Sequence, residues 1–272
     1  MKPSSNFPAL LFTVFIFSIL SVSCNVKKNQ GLTITDRILS VGVEIGYPPM
    51  EYYDIDGITP AGFDIELTKA LAEKLGLKVK YIDTTWEGIL AGLDAKRYDI
   101  AVNVTILEER QKKFNFTKPY INSSMTIAAL KDSFLNIENL AQLKQYTGLR
   151  IAYQGDTTAQ YFTEKLKNTG LTFTSFAYEK ITNCFDDLVL GRVDLVAADN
   201  IVVFDYIKKR DGVVEVIWQG ASDEYIGIAL KKGNDELRSA LNNALDELFC
   251  DGTMLEISFN VFGRDLVSSL RY

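Results

Sequence analysis

The sequence contains no histidine and only three cysteines among its 272 residues. The absence of histidine excludes every mechanism that uses an imidazole as base, proton relay or metal ligand, including a Ser-His-Asp triad and an HExxH zinc site. Three widely spaced cysteines (Cys24, Cys184 and Cys250) are too few for a disulfide framework or a zinc cluster. We therefore expect no metal and no other cofactor, and we expect Cys184 and Cys250 to be small buried residues.

Basic residues are in the minority, because 29 Lys and Arg stand against 35 Asp and Glu and give a net charge of −6. Proteins that bind nucleic acids need a basic surface, so this balance argues against a nucleic-acid partner. The composition is 47% hydrophobic and 24% charged, as in ordinary globular proteins and unlike disordered ones. The length exceeds that of one small domain.

Long apolar runs are absent except near the N terminus, where residues 9–20 are almost entirely apolar. This run is short for a membrane span but typical of a signal-peptide core, which predicts that residues 1–23 are a signal peptide. Cys24 follows small residues directly, as in the lipobox of bacterial lipoproteins, where that cysteine becomes the lipidated N terminus. The alternative is an ordinary secretory signal. If Cys24 is lipidated, residues 24–36 would tether the rest of the chain to a membrane, and the protein would lie in the periplasm or at the cell surface.

The remaining chain alternates predicted strands with predicted helices, and the pattern occurs twice. Each unit reads β-α-β-α-β, which predicts an α/β fold with two mostly parallel sheets flanked by helices. The predicted strands are residues 38–43, 77–81, 98–104, 149–153, 171–176 and 193–198. A local echo supports two similar units, because Arg97-Tyr98-Asp99 and Arg192-Val193-Asp194 both lie where a predicted helix meets a strand. Two such lobes would bind a ligand between them, at the carboxyl ends of their strands.

An ordered series of motifs at those strand ends resembles the family 3 extracellular solute-binding proteins, the polar amino-acid receptors of bacterial ABC importers. The resemblance covers residues 37–264 and is carried by Gly42-Val43-Glu44, Tyr47-Pro48-Pro49, Gly62-Phe63-Asp64, Trp86, Thr105, Glu109-Arg110, Phe116-Thr117-Lys118-Pro119-Tyr120, Gln154, Thr157-Thr158, Gly191-Arg192-Val193-Asp194 and Asp199.

The resemblance implies a two-lobed periplasmic-binding-protein fold that closes on a free L-amino acid, works as a monomer and delivers its ligand to an ABC transporter permease. Lobe 1 would contain residues 37–123 and 223–272, and lobe 2 residues 124–222. The two hinge crossings would lie near residues 122–125 and 220–223.

A free amino acid presents a carboxylate and an ammonium group, and both have candidate partners. The planar guanidinium of Arg110 matches two carboxylate oxygens, although a charged, solvated helix turn is the alternative for this segment. Thr105 and Thr158 offer hydroxyl donors, and Thr158 also stands at a predicted helix N terminus, which favours anions. Asp199 is the candidate partner for the ammonium group, with a helix N-cap as the alternative.

The other expected ligand-binding residues are Glu44, Tyr47, Trp86, Asn103 and Gln154, with Tyr47 and Trp86 flanking the ligand side chain. Glu44 fits either a basic ligand side chain or local backbone N–H groups. In the family small residues are common at the position of Asn103, and glycine is usual at that of Asp156. An acid at Asp156 would disfavour a carboxylate ligand unless it faces solvent. The ligand is left open among polar, cationic and sulfur-containing amino acids.

Two rival functions use other features of the same scaffold. Cyclohexadienyl or arogenate dehydratase-like enzymes resemble it and need a general acid in the cleft, a role that Glu44 or Asp156 fills only with a raised pKa. A sensory input domain needs a membrane-spanning helix and a signalling module. The sequence shows no paired-acid spacing that demands catalysis, so we expect a binding protein and not an enzyme.

Overall fold

The structure is a computed structural model that describes residues 31–270. The predicted signal peptide, Cys24 and most of the predicted tether lie outside the described residues. Within residues 31–270, no helix is both long and apolar enough to cross a membrane.

Strands and helices alternate along most of the described chain. In chain order the strands are β1 (Ile38–Val43), β2 (Tyr52–Tyr53), β3 (Pro60–Ala61), β4 (Lys78–Asp83), β5 (Ile100–Thr105), β6 (Phe114–Phe116), β7 (Ile121–Ser123), β8 (Met125–Leu130), β9 (Leu149–Gln154), β10 (Phe173–Tyr178), β11 (Leu195–Asp199), β12 (Val214–Gln219) and β13 (Glu224–Lys231). The α-helices are α1 (Phe63–Leu75), α2 (Trp86–Asp94), α3 (Glu108–Lys113), α4 (Thr158–Lys167), α5 (Ile181–Val189), α6 (Asn200–Lys209), α7 (Asp235–Cys250) and α8 (Thr253–Phe262). Two short 3₁₀ helices, Leu140–Gln145 and Ser268–Leu270, complete the set among residues 31–270.

The strands form two larger sheets and one small hairpin. The first sheet has the order β4-β1-β5-β13-β6, with β7 also paired to β13. Its strands β4, β1 and β5 are parallel, whereas β13 is antiparallel to its neighbours. The second sheet has the order β10-β9-β11-β8-β12, again with three parallel strands followed by antiparallel ones. The molecule is therefore an α/β protein of two lobes, each with a mixed sheet.

The chain passes between the two sheets twice. It leaves the first sheet after β7 and enters the second at β8, so that Ser124 alone separates the two strands. It returns between the end of β12 at Gln219 and the start of β13 at Glu224. Only these two short crossings connect the sheets along the described chain. The carboxyl ends of parallel strands from both lobes meet between the sheets, since Thr105 at the end of β5 and Asp199 at the end of β11 line one cavity.

The helices cover the sheets with apolar faces. In α7 the buried residues Leu237, Leu241, Ala244, Leu245 and Leu248 recur at helical spacing. Helix α1 ends at Gly76, whose left-handed backbone supplies the C-cap that the sequence predicts. The predicted strand at residues 171–176 begins later, at Phe173, because its ladder with β9 starts where Phe173 pairs with Leu149.

The two cysteines within residues 31–270 differ from each other in burial. Cys184 is buried in α5, as predicted, and both Cys184 and Cys250 are free thiols. Cys250 is exposed, so its predicted burial is wrong. The reason lies in the helix period, because Cys250 comes two residues after the buried Leu248 and points to the opposite side of α7.

Candidate functional site

Residues from the strand ends of both lobes line one small cavity between the sheets. Eight of the nine predicted ligand-binding residues lie on its wall: Tyr47, Trp86, Asn103, Thr105, Arg110, Gln154, Thr158 and Asp199, with Thr157 beside them. The cavity measures about 20 Å³, comparable with the volume that one water molecule needs. Glu44 is the exception, since it lies behind the wall and contacts Gln154. The lobes thus contact each other closely across the site.

Arg110 is the one buried residue of α3, while the other residues of this short helix are exposed. The alternative of a solvated helix turn therefore describes the rest of α3 but not Arg110. Its Nη1 donates to the carbonyl of Thr105 at 3.1 Å, and its Nη2 donates to the carbonyl of Asp156 at 3.3 Å. The guanidinium carbon lies 5.5 Å from the centroid of the Trp86 ring. Burial lowers the pKa of Arg110, but a guanidinium remains charged at neutral pH.

Asp199 ends β11 and stands at the N-cap position of α6, yet its side chain makes no capping hydrogen bond. Instead, its Oδ2 accepts a hydrogen bond of 2.7 Å from the Tyr47 hydroxyl, which belongs to the other lobe. Burial, followed by the negative charge of Asp199, raises the pKa of Tyr47 well above its usual value. The hydroxyl therefore keeps its proton, and the carboxylate is directed into the cleft instead of towards its own helix.

Trp86 and Asp156 form another contact between the lobes. The Trp86 Nε1–H donates to the Asp156 carbonyl at 2.9 Å. Asp156 has a left-handed backbone with φ of 56°, a conformation that glycine adopts most easily. Its side chain is exposed. The carbonyl of Asp156 thus joins the site while its carboxylate faces solvent, which removes the conflict that the sequence predicts for an acid at this position.

Helix α4 begins at the site, with Thr157 at its N-cap and Thr158 as its first residue. The Thr157 hydroxyl donates to the Gln154 carbonyl at 2.7 Å and does not cap the helix. The first backbone N–H groups of a helix lack partners within the helix and attract anions. Thr158 therefore brings both a hydroxyl and a helix N terminus to the cavity.

Glu44 and Gln154 join the lobes behind the cavity wall. The Gln154 Nε2 donates to both carboxylate oxygens of Glu44, at 2.7 and 2.9 Å, and to the Glu179 carbonyl at 2.9 Å. Burial raises the pKa of Glu44 to about 7, although the hydrogen bond from Gln154 and the charge of Lys180 both oppose this shift. The Gln154 Oε1 is buried without a hydrogen-bond partner in the described structure, so the amide has an acceptor to offer a ligand.

Asn103 occupies an irregular point of β5, next to the cavity. Its φ is 57°, and the pairing of β5 with β13 shifts register between Gly227 and Ala229. The Asn103 N–H donates to the Tyr120 hydroxyl at 2.9 Å, which in turn donates to Asp64 Oδ1 at 2.5 Å. Both Tyr120 and Asp64 are fully buried. Two motifs that sequence reasoning used only for the resemblance, at Asp64 and Tyr120, therefore hold a cavity residue in a left-handed conformation.

A second acid, Glu224, approaches Asp199 and was missed by sequence reasoning. It is the first residue of β13, directly after the return crossing, and it interacts with Asp199 and Thr158. Its Oε2 is buried and has no hydrogen-bond partner within residues 31–270. The available signal was an acid immediately before the alternating strand, at the point where the chain re-enters lobe 1.

The geometry separates the two charges that the cavity offers. The guanidinium of Arg110 and the N terminus of α4 favour an anionic group, whereas Asp199 and Glu224 favour a cationic one. This arrangement of charges is complementary to that of a small zwitterion. No group of three or more acidic or cysteine side chains within the described residues has a geometry that could hold a metal ion.

Comparison with known proteins gives a consistent result. A family model described as bacterial extracellular solute-binding proteins, family 3, matches residues 39–264. The L-cystine-binding protein TcyJ of Escherichia coli (strain K12) is 33% identical over 262 residues, which cover 95% of this chain and 96% of that protein.

Solved structures agree in both fold and length. An ancestral arginine-binding protein bound to glutamine superposes with a TM-score of 0.76 at 34% identity, covering 85% of this chain and all of that one. The ancestral amino acid-binding protein AncCDT-1, a precursor of cyclohexadienyl dehydratase, superposes with a TM-score of 0.75 at 32% identity, covering 83% and 95%. All three similar proteins are thus described as binding proteins.

Proposed function

The chain belongs to the bacterial extracellular solute-binding proteins of family 3, and we propose that it is the receptor of an ABC importer for a free L-amino acid. It would bind its ligand between the lobes, close on it and deliver it to the membrane permease. The observation that carries this proposal is the cavity to which Arg110 and Asp199 contribute from opposite lobes. The names of similar proteins point to L-cystine, L-arginine and L-glutamine as the first ligands to test.

The roles of the site residues follow from their contacts. Arg110 would bind the ligand carboxylate with the N–H groups that the carbonyls of Thr105 and Asp156 leave free, assisted by Thr158 at the N terminus of α4. Asp199 would bind the ammonium group, already oriented by its hydrogen bond from Tyr47.

Ligand entry requires movement of the lobes. A cavity of about 20 Å³ cannot admit an amino acid while Trp86 and Gln154 hold the lobes together. Since only two short crossings join the sheets within residues 31–270, we expect a hinge opening that breaks these contacts, followed by closure around the ligand.

Calorimetry on the purified protein that begins at residue 31 tests the proposal directly. Titration with L-cystine, L-arginine and L-glutamine should give saturable binding of at least one of them, and mass spectrometry should identify any amino acid retained through purification. D-enantiomers at the same concentrations serve as controls. Failure of all three, together with no binding of any other common L-amino acid, would remove the proposed function.

The dehydratase alternative concerns the same cleft. Glu44 has the raised pKa that a general acid needs, but it lies behind the cavity wall and accepts two hydrogen bonds from Gln154. We therefore propose binding without catalysis. Incubation with prephenate and with arogenate should give no product, and turnover that Glu44→Gln abolishes would establish the enzyme instead.

We also propose that Cys24 anchors the protein to a membrane. This residue lies outside the described structure. If Cys24 carries a lipid, Cys24→Ser should release the protein from the membrane fraction and leave amino-acid affinity unchanged. Equal partition of parent and variant into a detergent phase would contradict the anchor. The monomeric state is proposed as well, and scattering of the protein that begins at residue 31 tests it in solution.

A further inference from the structure

Glu224 stands where the returning chain enters lobe 1, and it faces lobe 2. In the ladder between β13 and β7, Glu224 pairs with Ser123, so both crossings meet beside it. Its carboxyl interacts with Asp199 and with the Thr158 hydroxyl, both from lobe 2. The Oε2 atom is buried without a hydrogen-bond partner among residues 31–270. A buried acceptor left without a donor is costly, which indicates that this site is built to receive one.

Glu224 lies next to Asp199, an acid that already accepts a hydrogen bond. Asp199 accepts the Tyr47 hydroxyl, and Asp223 adds a further negative charge. The charge of Arg110 interacts with that of Glu224 across the site. Two neighbouring carboxyl groups are stable in a buried place only with a proton or a cation between them.

The protonation of Glu224 agrees with this geometry. Burial raises its pKa to about 8, followed by the charge of Asp199 and a hydrogen bond between the two carboxyl groups, while the Thr158 hydroxyl opposes the shift. At neutral pH the Glu224 carboxyl is therefore mostly protonated, and the proton lies where a cationic group of a ligand would lie.

We propose that Glu224 is a second carboxylate of the ammonium subsite, and that it gives up its proton when the ammonium group of the ligand binds. This inference rests on the proposed function. The exchange is balanced: the carboxylic acid of Glu224 releases one proton to solvent, and the resulting carboxylate pairs with the ammonium group beside Asp199. The subsite therefore selects ligands with a primary ammonium group, whose three N–H donors serve both acids and a hydroxyl.

The exchange makes affinity depend on pH. Each proton released on binding raises the association constant by up to about tenfold per pH unit below the pKa of the free group. Between about pH 6 and pH 8 the parent should therefore bind its amino acid more tightly as pH rises. A glutamine at position 224 resembles the protonated acid and cannot release a proton. Glu224→Gln should match the parent most closely at low pH and fall behind it as pH rises.

Calorimetry in two buffers of different ionisation enthalpy counts the released protons. The parent, titrated with whichever of L-cystine, L-arginine or L-glutamine binds it, should release close to one proton at neutral pH, and Glu224→Gln should release almost none. Asp223→Asn is the matched control, because it removes the neighbouring charge and should still release a proton. Glu44→Gln tests the carboxyl behind the cavity wall, whose pKa also lies near neutrality.

The outcomes distinguish this inference from the proposed function. A parent that binds none of the amino acids removes the proposed function. A parent that binds without releasing a proton, or a Glu224→Gln variant that releases as many as the parent, overturns the inference and leaves the function standing. The inference is also overturned if Glu44→Gln no longer releases a proton on binding while Glu224→Gln releases as many protons as the parent. If Glu224→Gln does not fold, proton release by both the parent and Glu44→Gln supports the inference, and its absence in the parent rejects it.

Discussion

The two lobes share one scaffold but bring different chemistry to the cleft. The order β4-β1-β5-β13 of lobe 1 corresponds strand for strand to β10-β9-β11-β8 of lobe 2. In each sheet the fourth strand is the one that directly follows a crossing, and it is antiparallel to the third. Lobe 1 supplies Arg110 and the aromatic side chains Tyr47 and Trp86. Lobe 2 supplies Asp199 and the N terminus of α4. The repeated part of the fold therefore builds the cleft, and the parts that differ decide what binds there.

The echo between Arg97-Tyr98-Asp99 and Arg192-Val193-Asp194 marks equivalent positions. The Asp99 N–H donates to the Ser40 carbonyl in β1, and the Asp99 carboxylate accepts from the Ser40 N–H. Asp194 makes the same two bonds with Arg150 in β9. Each aspartate thus ties the start of one strand to the neighbouring strand. In lobe 1 the side-chain partner of the aspartate is the uncharged Ser40, whereas in lobe 2 Arg150 forms an ion pair with Asp194.

Removal of the lobe 1 cation should have the largest effect on binding. Arg110→Ala should weaken amino-acid binding by about a hundredfold or more, because each charge-assisted hydrogen bond contributes about 1.5–3 kcal/mol. Arg110→Lys should recover little, since an ammonium lacks the planar fork. Calorimetry measures both variants. Lys112→Ala, on the exposed face of the same helix, should bind like the parent, and near-parental affinity of Arg110→Ala would assign the carboxylate to lobe 2 alone.

Removal of the lobe 2 anion should have a smaller and more selective effect. Asp199→Asn keeps the size of the side chain but loses the charge that pairs with the ammonium group. Binding should weaken by about tenfold or more for the amino acid and much less for its analogue without the amino group. Affinities for both ligands measure this difference, with Asp205→Asn on the same helix as control. Equal weakening for both ligands would show that Asp199 supports the structure and does not bind the ammonium group.

Sequence reasoning predicted the α/β class and the alternation of elements because these depend on local patterns. The apolar run of β1, the spacing of Leu67, Leu71 and Leu75 in α1 and the C-cap at Gly76 are each determined by neighbours in the chain. The residues that line the cavity followed from the strand ends, because parallel strands collect those ends at one edge.

The contacts that hold the site together lay beyond sequence reasoning because they join distant residues. The link from Asp64 through Tyr120 to Asn103 depends on packing between α1 and the sheet, which no local pattern reports. The raised pKa of Glu44 depends first on burial, and that burial follows from lobe contact. Glu224 was missed for a similar reason. An acid beside a crossing is expected at the surface, and its burial is evident only from the contact between the lobes.

The buried junction of lobe 1, at Asp99, should matter more for stability than the junction of lobe 2, at Asp194. The Asp99 carboxylate is buried and accepts from the N–H groups of Ile34 at 2.6 Å and Ser40 at 2.8 Å, and from the Ser40 hydroxyl. In Asp99→Asn an amide N–H₂ replaces one of the two carboxylate oxygens and faces the donors of that oxygen, so the free energy of unfolding should fall by about 2–3 kcal/mol. Urea denaturation measures the change, with the exposed Glu73→Gln as control. A loss no larger than that of the control would show that this junction is dispensable.

The charged junction of lobe 2 should give the smallest effect and a distinct dependence on pH. Asp194 accepts from the Arg150 backbone N–H at 2.8 Å and from its guanidinium at 2.8 and 3.0 Å, but the side chains are 17% and 38% exposed. Solvent screens such a pair, so Asp194→Asn should cost about 1 kcal/mol at neutral pH.

Hydrogen bonds from Arg150 lower the pKa of Asp194, which means that folding favours the ionised acid. This contribution to stability is complete above the unfolded-state pKa of about 3.9, and it is lost as pH falls through the lower pKa of the folded state. The unfolding free energies of parent and Asp194→Asn should therefore converge in acid, which urea denaturation at several pH values measures. A difference that persists unchanged into acid would show that the ionised form of Asp194 is not what stabilises the junction. A difference that exceeds the cost of Asp99→Asn at neutral pH would show that the ion pair of lobe 2, and not the buried junction of lobe 1, is the stronger tie between strands.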